Sequence, residues 1–170
     1  MEIRPLVESD LPALAEHFEE GDPARPAHAL RLQAEGRAVM LVAWLNDQPV
    51  GRVLLHWQPI QQAPPEWQTG VSFAEEFLVL TAHRSKGIGA ALMAKAERLT
   101  REHGYERIAL GVGIDNERAR ALYSRLGYVE ASIGPFQDSG TFYNHAGKLV
   151  EWLETWSFLS KRLEEPQITR

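Results

Sequence analysis

Apolar residues recur along this chain with two different periods, which together predict a mixture of strands and helices. Runs rich in β-branched and aromatic residues predict six strands, over residues 2–6, 38–45, 50–57, 71–80, 108–114 and 128–133. Apolar residues three or four positions apart predict four helices, which begin after Ser9 or Asp10 as N-cap, at 27, at 88 and after Asn116. The tail from 149 to 159 fits both periods, so its pattern alone leaves helix and strand open.

The order of these elements predicts the architecture. Short polar turns join some strands as hairpins, whereas helices separate others, so we expect an α/β sheet with helices on both faces and antiparallel parts at its edges. The strand at 71–80 ends in the apolar run from Phe77 to Leu80, which is typical of a strand buried on both faces. A chain of 170 residues without internal repeats predicts a single domain over residues 1–170.

Composition and charge argue against several classes of protein and of site. The chain has no cysteine, which excludes disulfides, thiolate metal ligands and cysteine nucleophiles, and its histidines lack the spacing of a metal site. A formal net charge of −5 argues against nucleic acid, whose phosphates need a basic surface. The first ten residues lack the apolar core of a signal peptide, and no run reaches the roughly 18 apolar residues of a membrane span. We therefore expect a cytoplasmic protein that contacts no membrane.

The clearest chemical signal is a glycine loop, 84–89, with the sequence Arg-Ser-Lys-Gly-Ile-Gly, between the apolar strand and the longest predicted helix. The first N–H groups of a helix have no partner inside it, and the helix dipole favours an anion at this end. Gly87 and Gly89 let the backbone approach a ligand closely, and Arg84 and Lys86 add positive charge, so a diphosphate would fit. The loop lacks the Lys-Ser/Thr of a Walker A sequence and the third glycine of a dinucleotide fingerprint. For the glycines alone, a tight turn without a ligand stays the alternative.

Two motifs lie on the predicted elements at a fixed separation. The first, Phe77 to Ala90, has the pattern Arg/Gln-x-x-Gly-x-Gly/Ala after a strand that contains Val79. The second, Asp115 to Tyr128, has an Asn, a Leu-Tyr pair and a closing Gly-aromatic pair. Together with Val50-Gly51 after a hairpin turn and a typical start at 3–5, they resemble the GCN5-related N-acetyltransferase (GNAT) family over roughly residues 1–130.

The resemblance implies a fold, a cofactor and its binding residues. The GNAT fold is α/β, with a mixed, mostly antiparallel central sheet of six to seven strands, a splayed parallel pair and helices on both faces. Since it ends in two antiparallel strands, it favours a strand at 149–159. The implied cofactor is acetyl-CoA (coenzyme A), whose pantetheine arm would pair with the main chain of Phe77, Leu78 and Val79. The residues implied for its diphosphate and neighbouring groups are Arg84, Ser85, Lys86, Gly87, Ile88, Gly89, Ala90 and Asn116, the last of which is also a plain N-cap by its position.

The resemblance also implies catalytic roles. Tyr123 matches the acid that protonates the departing thiolate, although its helical position alone would make it a core tyrosine. Val79 matches the residue whose amide stabilises the oxyanion. Several family members carry a glutamate that acts as the general base on the strand before the second motif. In this chain that strand covers residues 110–114, which include no acidic residue. Glu75 and Glu76 are the next candidates, and because they are consecutive in a strand we expect at most one to face the cleft. We prefer Glu76, acting through water, with a pair of solvated strand-end charges as the alternative.

These features predict an N-acetyltransferase that moves an acetyl group from acetyl-CoA to a primary amine by direct attack in a ternary complex. The acceptor is expected to be a small-molecule or peptide amine, with segments 58–70 and 134–145 shaping its pocket, and a homodimer is a possible assembly. The alternative is a non-catalytic module of the same fold that binds acyl-CoA as a regulator. Such a module needs the glycine loop but neither Tyr123 nor a base.

Overall fold

In a computed structural model, which describes residues 1–61 and 63–163, the chain forms one mixed sheet with helices packed on both faces. The strands are β1 (Glu2–Pro5), β2 (Ala38–Leu45), β3 (Gln48–His56), β4 (Val71–Val79), β5 (Arg107–Gly113), β6 (Val129–Glu130), β7 (Phe136–Tyr143) and β8 (Leu149–Arg162). The helices are α1 (Leu11–His17), α2 (Arg25–Ala34), α3 (Ile88–Glu102) and α4 (Glu117–Arg125). Within these described residues, no helix is both long and apolar enough to cross a membrane.

The order of the strands in the sheet is β1-β2-β3-β4-β5-β8-β6, with β7 paired to β8. Neighbouring strands are antiparallel except for β4 and β5. This parallel pair ends at Ala74 and Leu110, although β4 continues to Val79 and β5 to Gly113. The two strands therefore splay apart, and the predicted α/β fold with a splayed parallel pair is confirmed.

Each face of the sheet has its own core because side chains alternate along every strand. On β2, Met40 and Val42 pack with α1 and α2, whereas Leu41 and Ala43 pack with α3. At the centre of the second core Leu92 of α3 is fully buried. Burial of each large apolar side chain contributes roughly 1.5–3 kcal/mol. The two cores hold β4 and β5 in place up to the point where the strands separate.

The C-terminal tail is a strand, as the resemblance implied. β8 pairs with β5 on one side and with β6 and β7 on the other. Its ambiguous pattern arises because apolar residues lie on both of its faces. Trp152 and Trp156 face the protein, whereas Leu149 and Leu153 are exposed on the outside.

Two other C-terminal strands differ from the prediction. β7 was not predicted, because Asp138, Ser139 and Gly140 at its centre are poor strand formers. It forms by pairing with β8 along its whole length. The strand predicted at 128–133 is only the two residues of β6, since β8 offers it just two partners. Tertiary pairing, rather than local propensity, decides both outcomes.

The predicted N-cap of α1 has a different role. Asp10 accepts hydrogen bonds from Arg4 at 2.7 and 2.8 Å and from the Val7 amide at 3.0 Å, and its side chain does not cap the helix. The bonds from Arg4 hold the pKa of this buried carboxyl below its usual range. Asp10 therefore ties β1 to the start of α1.

Candidate active site

A cleft of about 740 Å³ opens where β4 and β5 separate. One wall is the free end of β4, a second is α4 with the end of β5, and a third is the hairpin formed by β7 and β8. Five of the residues predicted for the site line it: Glu76, Phe77, Leu78, Asn116 and Tyr123. Glu75 lines it as well, whereas Val79 and residues 84–90 are not among its lining residues. Parts of both sequence motifs thus meet at one cavity, although Phe77 and Tyr123 are 46 residues apart in the chain.

A β-bulge shapes the β4 wall. Leu54 of β3 lies opposite Glu75, but Arg52 lies opposite Leu78, so β4 has one extra residue here. Glu76 lies in this bulge with a φ of +52°, a backbone conformation that residues other than glycine rarely adopt. The alternation of side chains along β4 is interrupted at this point.

The bulge places both glutamates on the same face of the sheet. Glu75 lies 3.0 Å from Nε2 of His56, and Glu76 lies 3.2 Å from Nη2 of Arg52. Arg52 and His56 are four residues apart on β3 and so share a face. The expectation that at most one of the two glutamates faces the cleft is wrong, because it assumed a regular strand.

The two carboxylates differ in their partners. Oε2 of Glu76 faces Arg52, and Oε1 lies 3.3 Å from Nη1 of Arg25, so each oxygen has a guanidinium beside it. Burial lowers the pKa of Arg52, an effect that the charge of Glu76 offsets in part. For Glu75, burial raises the pKa, but the adjacent His56 imidazole outweighs this and holds the pKa below its usual range. Glu75 is therefore an ionised carboxylate with one oxygen engaged by a histidine.

The main chain of β4 has an unpaired edge along the cleft. The Leu80 amide donates to the Val50 carbonyl at 3.0 Å, and antiparallel bonding alternates along the strand. By this alternation Leu78 pairs with β3, whereas the main-chain groups of Phe77 and Val79 point into the gap, where β5 no longer pairs. Leu78 therefore offers the cleft its side chain rather than its amide. Because this part of β4 has no neighbouring strand on one side, its residues are half-buried and not buried on both faces.

The glycine loop joins β4 to α3 and leaves amides free. Ser85 and Gly87 have φ values of +60° and +82°, and α3 begins at Ile88. The amides of Ile88, Gly89 and Ala90 have no acceptor within the helix, which makes this end suited to an anion. The side chain of Ile88 is buried in the core, so only its amide is available.

Side chains around the loop brace it from several directions. Nε of Arg84 donates to the Val79 carbonyl at 2.9 Å, and Nζ of Lys86 donates to the Ala82 carbonyl at 3.0 Å. Arg118 of α4 donates to the Ser85 hydroxyl at 3.1 Å. Sequence reasoning missed Arg118, although it lies two residues after Asn116 in the second motif. Three cationic side chains therefore surround the free amides.

The α4 wall carries Asn116 and Tyr123. Asn116 accepts from the Ala119 amide at 3.1 Å, which confirms the predicted N-cap. Tyr123 is only 4% exposed, and its ring lies 5.7 Å from that of Phe77 and 5.6 Å from that of Tyr128. Burial raises its pKa above the ordinary value, and no described residue forms a hydrogen bond with its hydroxyl. Tyr123 is thus both a core residue and a neutral O–H donor in the cleft wall.

The hairpin wall was largely missed from the sequence. It presents four aromatic rings and two carboxylates to the cleft: Phe136, Phe142, Trp152, Trp156, Asp138 and Glu154. Segments 58–70 and 134–145 do contribute to the cleft, through Ile60 in the first and β7 in the second. Trp57 and Trp67 do not line it: the first stacks on His103 with ring centres 3.7 Å apart, and the second packs on Phe73 and Phe158.

The edge of β4 without a partner strand and the buried Tyr123 meet in this cleft, and the loop with the free amides of α3 follows the same strand. The chain belongs to the acetyltransferase (GNAT) family, whose family model matches residues 3–128. An N-acetyltransferase of uncharacterised function from Methanocaldococcus jannaschii is 32% identical over 92 residues, which are 54% of this chain and 39% of that protein. The chain spans only 32 to 39% of the length of the curated relatives it matches.

Solved structures show the same fold at low sequence identity. The ribosomal-protein-alanine N-acetyltransferase of Brucella melitensis superposes with a TM-score of 0.71 at 24% identity, covering 96% of this chain and all of that one. An acetyltransferase of Salmonella typhimurium, solved with acetyl-CoA, superposes with a TM-score of 0.69 at 19% identity, covering 100% of this chain and 98% of that one. At these identities the likeness concerns the fold alone.

Proposed function

We propose that this protein transfers an acetyl group from acetyl-CoA to a primary amine, by direct attack of the amine within a ternary complex. The observation that carries the proposal is the edge of β4 that lacks a partner strand beyond Ala74: its residues Phe77 and Leu78 line the same cleft as Tyr123, and the strand leads into the loop before the free amides of α3. Acetyl-CoA supplies an activated acetyl group as a thioester. The bond from the amine nitrogen to the acetyl carbon forms, the carbon–sulfur bond breaks, and the sulfur leaves as a thiol.

The residues present fit acetyl-CoA in shape and charge. The amides of Ile88, Gly89 and Ala90 would bind the diphosphate, with Arg84, Lys86 and Arg118 nearby as cations. The gap beside Phe77 and Val79 is open for an extended pantetheine arm, which would pair with the main-chain groups of Phe77 and with the Val79 amide, since the Val79 carbonyl already accepts from Arg84. Asn116 keeps its side-chain NH₂ group available, since its oxygen caps α4.

Two groups of this site would act on the leaving side of the reaction. The Val79 amide points into the gap and would donate to the thioester oxygen as negative charge develops there. Tyr123 would deliver its proton to the departing sulfur, which leaves as a thiol, and the second proton that the attacking nitrogen loses would restore the Tyr123 hydroxyl through water. Its raised pKa keeps this phenol protonated throughout the neutral range.

On the acceptor side, Glu75 is the residue that we propose as the base, in place of Glu76. Each oxygen of Glu76 is already in an ion pair with an arginine, at 3.3 and 3.2 Å, so neither oxygen is open to an acceptor amine. Glu75 lines the same cleft, and among the described residues its one ion-pair partner within 4 Å is His56, at a single oxygen. Glu75 would take the proton of the incoming ammonium, directly or through water, and His56 would hold it in position.

Tyr123→Phe tests the reaction as a whole. We expect kcat for free-thiol release to fall by about 10²–10⁴-fold, since the acid is lost. The affinity for coenzyme A and the melting temperature should stay nearly unchanged, because the hydroxyl has no hydrogen bond to lose among the described residues. The measurements are thiol release across a panel of amines and a thermal shift with coenzyme A.

Tyr128→Phe is the matched control. Its hydroxyl donates to the buried Glu97 at 3.1 Å, so its loss should cost about 2 kcal/mol of stability and leave kcat unchanged. Full activity in Tyr123→Phe across the pH range would remove the acid role. Binding of coenzyme A, without thiol release from acetyl-CoA in the presence of any amine, would favour the non-catalytic acyl-CoA module instead.

A further inference from the structure

The hairpin wall has a regular arrangement of side chains that the reaction above does not use. β7 and β8 pair so that Phe136 lies opposite Trp156, Asp138 opposite Glu154, and Gly140 opposite Trp152. These residues occupy every second position along both strands and share the face that lines the cleft, where the Glu154 side chain remains exposed. Two carboxylates therefore stand side by side, with aromatic residues before and after them.

The carboxylate pair lacks a compensating cation. Residues directly opposite in an antiparallel sheet have Cβ atoms about 4.5–5.5 Å apart, and like charges in this position destabilise the sheet. Within the described residues, neither Asp138 nor Glu154 forms a salt bridge, and the only hydrogen bond made by either is from the Ser139 amide to Asp138 at 2.9 Å. By contrast, the carboxylates of Glu97 and Glu130 each have a cationic partner at 2.7–2.8 Å. A cation between Asp138 and Glu154 would remove their repulsion.

The aromatic residues make the same position favourable for a cation. Gly140 allows the indole of Trp152 to lie flat across β7, since a Cβ there would be 2.9 Å from Cζ2 and Nε1 of that ring. Aromatic faces attract ammonium groups and also offer apolar surface to a methylene chain. Arginine and lysine side chains lie over Trp44, Phe18 and Tyr128, but over none of the four rings of this wall within the described residues.

The lining of the whole cleft also carries more negative than positive charge. Its lining includes six carboxylates, from Glu20, Asp22, Glu75, Glu76, Asp138 and Glu154, and two guanidinium groups, from Arg25 and Arg52. Both arginines already pair with Glu76, and Arg25 also lies 3.7 Å from Asp22. Among the described lining residues, the cationic groups are therefore on the β4 side, and the charged groups of the hairpin side are carboxylates.

We propose that the hairpin wall binds a second ammonium group of the acceptor, so that the substrate is an aliphatic diamine or polyamine acetylated at one end. This proposal rests on the acetyltransferase function proposed above. One ammonium lies between Asp138 and Glu154 against the indole of Trp152, and the methylene chain crosses the aromatic faces. The other end reaches Glu75, loses its proton there and attacks the acetyl group. A peptide acceptor would bring polar amides against these rings, where they would lack hydrogen-bond partners.

The kinetic test compares acceptors that share the same reacting end. Thiol release from acetyl-CoA is measured with putrescine, spermidine, 1-butylamine and a short neutral peptide with a free N-terminus. We expect kcat/KM for putrescine to exceed that for 1-butylamine at least tenfold, since only putrescine carries the second ammonium. Asp138→Asn and Glu154→Gln should each lower this ratio at least fivefold.

Glu151→Gln is the matched control for the kinetic test. Glu151 is an exposed acid of the same strand on its outer face, opposite Thr141, so this substitution should leave the ratio unchanged. The proposal would be overturned by a putrescine to 1-butylamine ratio of kcat/KM near one in the unmodified protein, or by an unchanged ratio in both cleft variants. It would also be overturned if kcat/KM for the peptide exceeded the values for putrescine and spermidine.

Calorimetry separates this proposal from the proposed reaction. Putrescine is titrated into the protein with coenzyme A present, so that binding is measured without turnover. Putrescine binding that weakens at least tenfold in Asp138→Asn would support the cation site. If no amine then causes thiol release from acetyl-CoA, the transferase function is excluded while the cation site remains supported. Thiol release from acetyl-CoA with monoamines as acceptors, together with no measurable putrescine binding, would support the transferase function and exclude the cation site.

Discussion

Two walls of the candidate site offer different kinds of groups to the ligands that we propose. The first wall, which is the end of β4 together with the adjoining glycine loop and the start of α3, offers mainly main-chain groups: the amides of Ile88, Gly89 and Ala90 and the edge of β4 at Val79. The hairpin wall of β7 and β8 offers side chains, namely aromatic rings and a carboxylate pair. The first wall depends on backbone conformation and close packing, whereas the second depends on which residues share a strand face. The first suits a ligand common to a family, and the second can change its ligand by substitution of a few side chains.

The largest effect is expected where the first wall is most tightly packed. A Cβ at Gly89 would lie 3.0 Å from Cζ of Phe77 and 3.2 Å from Cδ2 of Leu122, so Gly89→Val must push Phe77 toward the gap. We expect the affinity for coenzyme A, measured by calorimetry, to fall more than 100-fold. An affinity within threefold of the unmodified protein would show that the gap is not the cofactor site.

Gly104→Ala is the control for this change. Gly104 follows α3 at its other end with a φ of +79°, and a Cβ there would meet nothing within 4 Å. The strained backbone should cost about 1 kcal/mol of stability, and the affinity for coenzyme A should stay the same. Comparing the two variants separates loss of binding from loss of folding.

The next largest effect distinguishes the two glutamates of the bulge. Glu75→Gln should lower kcat about 100-fold with little change in stability, because it removes the base. Glu76→Gln should instead destabilise the fold by about 3 kcal/mol, because it leaves Arg52, whose side chain is 6% exposed, without its partner. Kinetics and urea denaturation of both variants make the comparison.

A second substitution checks the reason for this difference. Adding Arg52→Met to Glu76→Gln removes the unpaired charge and should recover most of the lost stability. If Glu76→Gln lowers kcat as strongly as Glu75→Gln does and leaves stability intact, Glu76 is the base, as the sequence alone suggested.

The sequence predicted the first wall well because that wall depends on local features. The glycines of 84–89 lie where a strand meets a helix, and the Asn and Tyr of the second motif have a fixed spacing on α4. These signals survive without knowledge of tertiary contacts. The errors on this wall were also local in origin: the bulge at Glu76 inserts one residue into β4, and no sequence pattern marked it. The same bulge turned both glutamates to one face.

The sequence did not predict the second wall because it depends on strand pairing. The acidic and aromatic residues of β7 and β8 become a row of cross-strand pairs only when Asp138 lies opposite Glu154, and this register follows from the hairpin. A shift of one residue would move the row to the outer face. The poor strand propensity of Ser139 and Gly140 concealed β7 altogether. The specificity that we propose for this cleft therefore depends on the part of the chain that is hardest to predict from sequence.

The smallest effect concerns the repulsion within the carboxylate pair. In the absence of ligand, Glu154→Lys replaces a like-charge pair with an opposite-charge pair and should raise stability by about 0.5 kcal/mol at low salt. Because Glu154 is exposed, 1 M salt should screen most of this gain. Glu151→Lys, opposite Thr141 on the outer face, should give no such gain. Urea denaturation at two salt concentrations measures both variants, and a loss of stability in Glu154→Lys would mean that Asp138 and Glu154 do not repel each other in the free protein. A gain in stability together with loss of putrescine binding would show that the cation position is shared by the introduced lysine and the acceptor, since one carboxylate pair cannot hold both.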